Sequence, residues 1–270
     1  MPSTIKTILV GKARDPMDPR IFHAVSLAAF LAWVGLGADG LSSSAYGPEE
    51  AFKALGSHAY LAVWLALLTA LTVCLISLAY SKVIELFPAG GGGYLVATKL
   101  LGPRLGLVSG CALVVDYVLT ISISIASGCD QIFSLLPPGW QRYKFGAAVL
   151  IAAVLIVLNL RGLKESIQVL VPIFLLFLGT HVLLIGVTLV GHLMKLPVIF
   201  EAAAHEAGST AGALGWAPLL LIMMRAYSLG GGTYTGIEAV SNSVQVLREP
   251  RVANAKRTML YMAVSLSFTA

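Results

Sequence analysis

Residues 228–236 read Ser228-Leu229-Gly230-Gly231-Gly232-Thr233-Tyr234-Thr235-Gly236. They lie inside an apolar stretch, 215–246, long enough for a bilayer, which a helix crosses in about 20 apolar residues. A glycine inside a helix costs about 1 kcal/mol, and three in a row rarely persist without a reason. Non-helical backbone at membrane depth is tolerated only where it is buried in protein or lines a cavity. An earlier apolar run, 22–55, meets a second such passage: Gly35-Leu36-Gly37-Ala38-Asp39-Gly40, then Ser42-Ser43-Ser44-Ala45-Tyr46-Gly47-Pro48. Interrupted segments at corresponding places in two halves point to a transporter site. A weak repeat joins them, because Tyr46-Gly47-Pro48-Glu49 aligns with Thr235-Gly236-Ile237-Glu238. The bland alternative is a pair of kinks in a helical bundle.

The surrounding sequence is a membrane protein's. Of 270 residues, 57% are hydrophobic and 11% charged, against about 25% charged in a soluble domain. Mean hydropathy is +0.86. An ordinary soluble enzyme, a disordered chain and a nucleic-acid-binding module are excluded. The apolar runs predict six spans, at about 22–55 (interrupted), 58–86, 104–135, 144–161, 166–194 and 215–246 (interrupted), with a seventh starting near 257 and cut off. No secretory signal is expected in the polar first 20 residues. With the N-terminus inside, the inner segments hold Lys6, Lys12, Arg14, Arg20, Lys82, Lys99, Arg104, Arg161, Lys164, Arg248, Arg251, Lys256 and Arg257, while the outer ones hold only Lys53, Arg142, Lys144 and Lys195. The positive-inside rule therefore places the N-terminus and the 87–103 loop in the cytoplasm and the 195–215 loop outside. The net charge of +5 is an orientation signal, not a nucleic-acid footprint. Cys74, Cys111 and Cys129 lack metal-ligand spacing and read as small core residues.

Intramembrane acids are functional candidates by default. Asp39 and Glu238 flank the two breaks, and Asp116 lies about a third of the way into span three. Asp116, Thr120, Ser124 and Ser127 recur on one helical face, with Tyr117 beside it. Back-bonding of the hydroxyls to carbonyls four residues earlier is the bland reading of that stripe. Asp130 and Arg225 suit an ion pair, and His181 suits a packed, hydrogen-bonded place in span five. No zinc-binding or nucleophile–base arrangement occurs, and Pro88-Ala89-Gly90-Gly91-Gly92-Gly93-Tyr94 lacks the Gly-Lys-Ser/Thr of a phosphate loop.

The pattern resembles the amino acid–polyamine–organocation superfamily. The Pro88–Tyr94 run is similar to that family's Pro-x-Gly-Gly-x-Tyr signature. The blocks Ser42–Gly47, Val115-Asp116-Tyr117-Val118-Leu119-Thr120, Leu158-Asn159-Leu160-Arg161-Gly162-Leu163 and Thr235-Gly236-Ile237-Glu238-Ala239-Val240-Ser241-Asn242 resemble its Kup/KimA-type potassium importers. The resemblance implies an all-α integral membrane protein of the LeuT-like five-plus-five inverted-repeat fold. In that fold spans one and six are unwound, and this chain would be truncated in span seven. It divides the chain into a cytoplasmic N-terminal segment, 1–21, a first repeat with spans one to five, 22–194, and the start of a second repeat, 195–270. It further implies that Asp39, Tyr46, Tyr117, Thr120, Ser124 and Thr235 surround the ion. Asp39, Asp116 and Glu238 would bind or relay charge in a proton-coupled cycle. Potassium and protons are then the transported species and the lipid bilayer the surroundings, with a homodimer among the implied assemblies. Neither a cofactor, a resident metal nor an enzymatic reaction is implied. The location would be the plasma membrane.

Electrostatics favours a cation on separate grounds. Amino acid carriers of this fold place the substrate carboxylate at the glycine-rich break, where half-helix N-termini supply N–H groups. Asp39 would repel a carboxylate there, whereas a cation ringed by oxygens is suited to it. A polyamine or cationic amino acid satisfies the same charge, and Gly230–Gly232 still resembles an amino acid carrier's second break. An amino acid or polyamine permease is the alternative, and a receptor or scaffold a more distant one.

Overall fold

A computed structural model describes residues 26–270, apart from the side chains of Arg161, Leu163, Lys164 and Glu165. The expected N-terminal segment 1–21, with Lys6, Lys12, Arg14 and Arg20, lies outside the described residues. Among those described the chain is helical, as the apolar runs require. Helix α1 spans Ala29–Leu55, and a 3-10 turn, Gly56–Leu61, leads to α2, Ala62–Leu86. There follow α3 (Gly92–Leu101), α4 (Pro103–Ser134), α5 (Lys144–Arg161), α6 (Leu163–His192), α7 (Leu196–Leu214), α8 (Trp216–Leu229), the single turn α9 (Ala239–Asn242) and α10 (Arg251–Thr269).

The stretches Ala29–Leu86, Pro103–Ser134, Pro138–Leu160 and Ser166–Leu214 contain helices apolar and long enough to cross a membrane. Their surfaces agree with that solvent. On α2, Leu67, Leu71, Leu75 and Leu78 are all more than half exposed, and they share a face. In water such a stripe would be costly, whereas hydrocarbon accepts it. Cys74 and Cys111 are exposed and only Cys129 is buried, so the core reading holds for one cysteine and is corrected for two. His181 behaves as a packed histidine, with Nδ1 at 2.8 Å from the Phe177 carbonyl. Asp130, expected to face Arg225, pairs instead with Lys144.

Two features correct the expected architecture. Span one is not unwound, because α1 runs unbroken through Gly35, Gly37, Gly40, Gly47 and Pro48. Span six is broken where expected: α8 ends at Leu229, Gly230–Tyr234 form a 3-10 turn, and Thr235 is extended. Its continuation is one helical turn, α9, rather than a half-span. The 195–215 segment, read as a loop, is helix α7, and the 87–103 loop contains α3.

The described chain forms two compact units. One comprises residues 26–36, 80–173 and 238–258, the other 37–79, 174–237 and 259–270. In the first, Leu27 lies beside Leu247, and Arg248 N–H donates to the Leu27 carbonyl at 2.9 Å. In the second, Ala51, Leu55, Leu61 and Leu65 pack with Ala211, Leu219 and Ala226 into an apolar core. That core seats the end of α1 against α7 and α8, and so fixes where the glycine-rich turn begins.

Candidate functional site

The second unit holds Asp39, Tyr46 and Thr235 together. The α1 positions Gly40, Ser43, Gly47 and Ala51 fall on one helical face, and the broken segment of span six lies along it. A Cβ on Gly47 would stand 2.9 Å from the Thr233 amide nitrogen, and one on Gly230 would stand 2.8 Å from Ala51 Cβ. Gly47 of span one therefore serves close approach. It leaves room for the backbone of 230–236, and the helix that carries it stays continuous.

Ser43, fully buried, is the hub of this face. Its Oγ lies 3.0 Å from the Asp39 carbonyl, 3.0 Å from the Tyr46 hydroxyl and 3.1 Å from Thr235 Oγ1. Thr235 Oγ1 in turn donates to the Gly232 carbonyl at 2.7 Å. Three hydroxyl protons thus serve four contacts, so a proton is shared between two acceptors or one contact lacks a proton. Such a cluster has acceptor capacity to spare, which a cation can use. The Asp39 carboxylate is close by, because a Cβ on Gly236 would meet its Oδ2 at 2.9 Å and the Gly40 amide nitrogen at 2.8 Å. Gly236 also has φ +85°, a conformation that glycine enters freely. Asp39 and the break are thereby held side by side by a residue with no side chain.

The first unit holds Asp116, Tyr117, Thr120, Ser124 and Glu238. On α4, Asp116, Tyr117, Thr120, Ser124 and Ser127 are all less exposed than Val118, Leu119 and Ile121 between them. The polar stripe is thus the inward face of the helix, as its spacing predicts. Thr120 is 6% exposed, and neither it nor Ser124 hydrogen-bonds another described residue. Back-bonding is instead the role of Ser122, on the outer face, to the Val118 carbonyl. Asp116 likewise forms no ion pair or hydrogen bond with another described residue. Glu238 precedes α9, and one of its carboxylate oxygens is buried.

Sequence reading missed two residues that organise these clusters. Ser43 follows Asp39 by four and precedes Tyr46 by three, which puts all three on neighbouring positions of one helix face. That spacing was available in the sequence. Asn242 donates from Nδ2 to the Tyr117 hydroxyl at 2.8 Å. No local spacing could have shown that bond, since its partners are 125 residues apart.

Residues 25–270 match the family described as Amino acid permease. The Potassium transporter KimA of Bacillus subtilis (strain 168) is 33% identical over 269 residues, covering 98% of this chain and 43% of that protein. The Methylthioribose transporter of the same organism is 25% identical over 232 residues, covering 75% of this chain and 46% of that protein. The chain thus spans less than half the length of either curated relative.

Proposed function

The chain belongs to the amino acid permease family, and from that premise we propose that it forms part of a secondary carrier that takes up potassium coupled to protons. One observation carries the choice of cargo. Asp39 stands beside the span-six break with Ser43, Tyr46 and Thr235, a group with more lone pairs than protons. An acid and surplus acceptors replace part of a cation's hydration shell. Similarity to a protein named as a potassium transporter supports the same cargo. Asp39, Tyr46 and Thr235 are assigned to ion binding on one unit, and Tyr117, Thr120 and Ser124 on the other. Asp116 and Glu238, with Asp39, are assigned to charge relay in the proton-coupled cycle. The protein would lie in the plasma membrane with its N-terminus cytoplasmic.

The second reading is an amino acid or polyamine permease. It is favoured by Gly230–Gly232, whose 3-10 backbone presents peptide groups of the kind that bind a carboxylate.

Asp39→Asn separates the two. The substitution keeps the shape and removes the charge that offsets ion dehydration. In a low-dielectric site that attraction is large before desolvation is subtracted, and about 1.4 kcal/mol is tenfold in affinity. Potassium uptake by the whole carrier should fall at least about tenfold. Glu238→Gln, which cannot titrate, should slow or uncouple the cycle. If Asp39→Asn leaves potassium uptake intact while amino acid uptake is present and unchanged or stronger, the permease reading replaces the cation reading.

A further inference from the structure

Three parts of the first unit meet at Asn242. Its backbone N–H donates to the Glu238 carbonyl at 2.9 Å, closing the turn that carries α9. Its backbone carbonyl accepts from the Gly91 N–H at 3.3 Å. Its side-chain Nδ2 donates to the Tyr117 hydroxyl on α4. The amide oxygen, Oδ1, is buried and has no hydrogen-bond partner among the described residues. It is held there by shape, because Gly92 of the Pro88–Tyr94 turn lies against it. Gly90, Gly91 and Gly92 have φ of +83°, +94° and +45°. A Cβ on Gly92 would stand 2.8 Å from Ser241 Oγ and 3.0 Å from Asn242 Cγ.

A planar amide wedged this way has little freedom. One edge rests on the glycine turn and the other holds a phenol. The Nδ2–H occupies one lone pair of the Tyr117 oxygen, so it fixes where the remaining lone pair and the hydroxyl proton can point. A binding group is only as well placed as the residues that support it.

We propose that Asn242 is a positioning residue for Tyr117, and that the Gly90–Gly92 turn sets the place of Asn242. The glycine-rich turn, which has no contact role in the proposed site, then acts on Tyr117 through one side chain. Its effect on uptake rests on reading Tyr117 as a cargo contact, whereas its effect on the Tyr117 environment does not.

The test uses the complete carrier that contains this chain, reconstituted in liposomes for rubidium-86 uptake and in nanodiscs with tyrosine labelled at Cζ for carbon-13 NMR. The Tyr117 resonance is assigned by its loss in Tyr117→Phe. Asn242→Ala and Gly92→Ala should each move that resonance in the same direction. Each should raise the KM for rubidium about three- to tenfold, the worth of one hydrogen bond, with little change in maximal rate. The double variant should show no larger effect than the stronger single one, since both act on the same contact. Effects that multiply, or a Tyr117 resonance unmoved by Asn242→Ala, overturn the proposal. If Gly92→Ala fails to fold, the Asn242→Ala/Tyr117→Phe pair decides by the same rule: coincident KM effects support positioning and multiplying ones refute it. If the unsubstituted carrier takes up no rubidium, the potassium reading fails, and the NMR shift still decides the role of Asn242.

Discussion

Gly236 shows how much can depend on a missing side chain. Its φ of +85° would strain another residue by about 1–3 kcal/mol. A Cβ would also collide with the Gly40 amide and the Asp39 carboxylate. Gly236→Ala should therefore lower the melting temperature and abolish uptake, checked by thermal unfolding in detergent and by transport. Gly128→Ala is the matched control. Gly128 is exposed on α4 with open space where its Cβ would go, and alanine is the better helix former. Equal losses from both variants would refute the Asp39–Gly236 contact. The acids and tyrosines of the two clusters are legible in the sequence because charge and hydroxyls are conspicuous in an apolar run. The spacing of Ser43 to Asp39 and Tyr46 is legible too, but its contact with Thr235 and the role of Asn242 are not, because the fold brings those partners together.

The elements show where local rules run out. Helix α1 contains the glycine, serine and proline pattern of an unwound segment, yet it is continuous. The same missing Cβ that weakens a helix also lets another backbone lie against it, and Gly47 serves the second purpose. Helix α7 reads as a loop in the sequence because Glu201, His205, Glu206, Gly208 and Gly212 dilute its apolar signal. Its order comes from packing, since Ala203 and Ala211 are buried and Tyr60 donates to Thr210 Oγ1 at 2.7 Å. The orientation expected from the basic residues places α7 outside. A His205→Cys variant should then react with a membrane-impermeant maleimide applied to the outside of cells. Labelling of residue 205 from the inside alone would reverse the orientation.

At the scale of the whole molecule, an inverted-repeat carrier needs both repeats. On the five-plus-five reading, residues 195–270, with the broken span six and helix α10, would supply only the start of the second. The 270-residue chain alone should insert into membranes without transporting, checked by flotation with liposomes and by rubidium uptake. Uptake above background would refute the five-plus-five architecture. Hydropathy and motifs alone show that this is a helical membrane protein, where most of its helices run, that span six breaks within Ser228–Gly236, and to which family it belongs. Those properties follow from hydropathy, glycine runs and short motifs, which act over a few residues. Three features come from the folded arrangement alone: span one stays helical, Ser43 meets Thr235, and Asn242 holds Tyr117. In each case the decisive contact joins residues distant in the chain: Ser43 and Thr235 are 192 positions apart. A glycine that unwinds a helix and one that admits a neighbour look alike until that neighbour is in place.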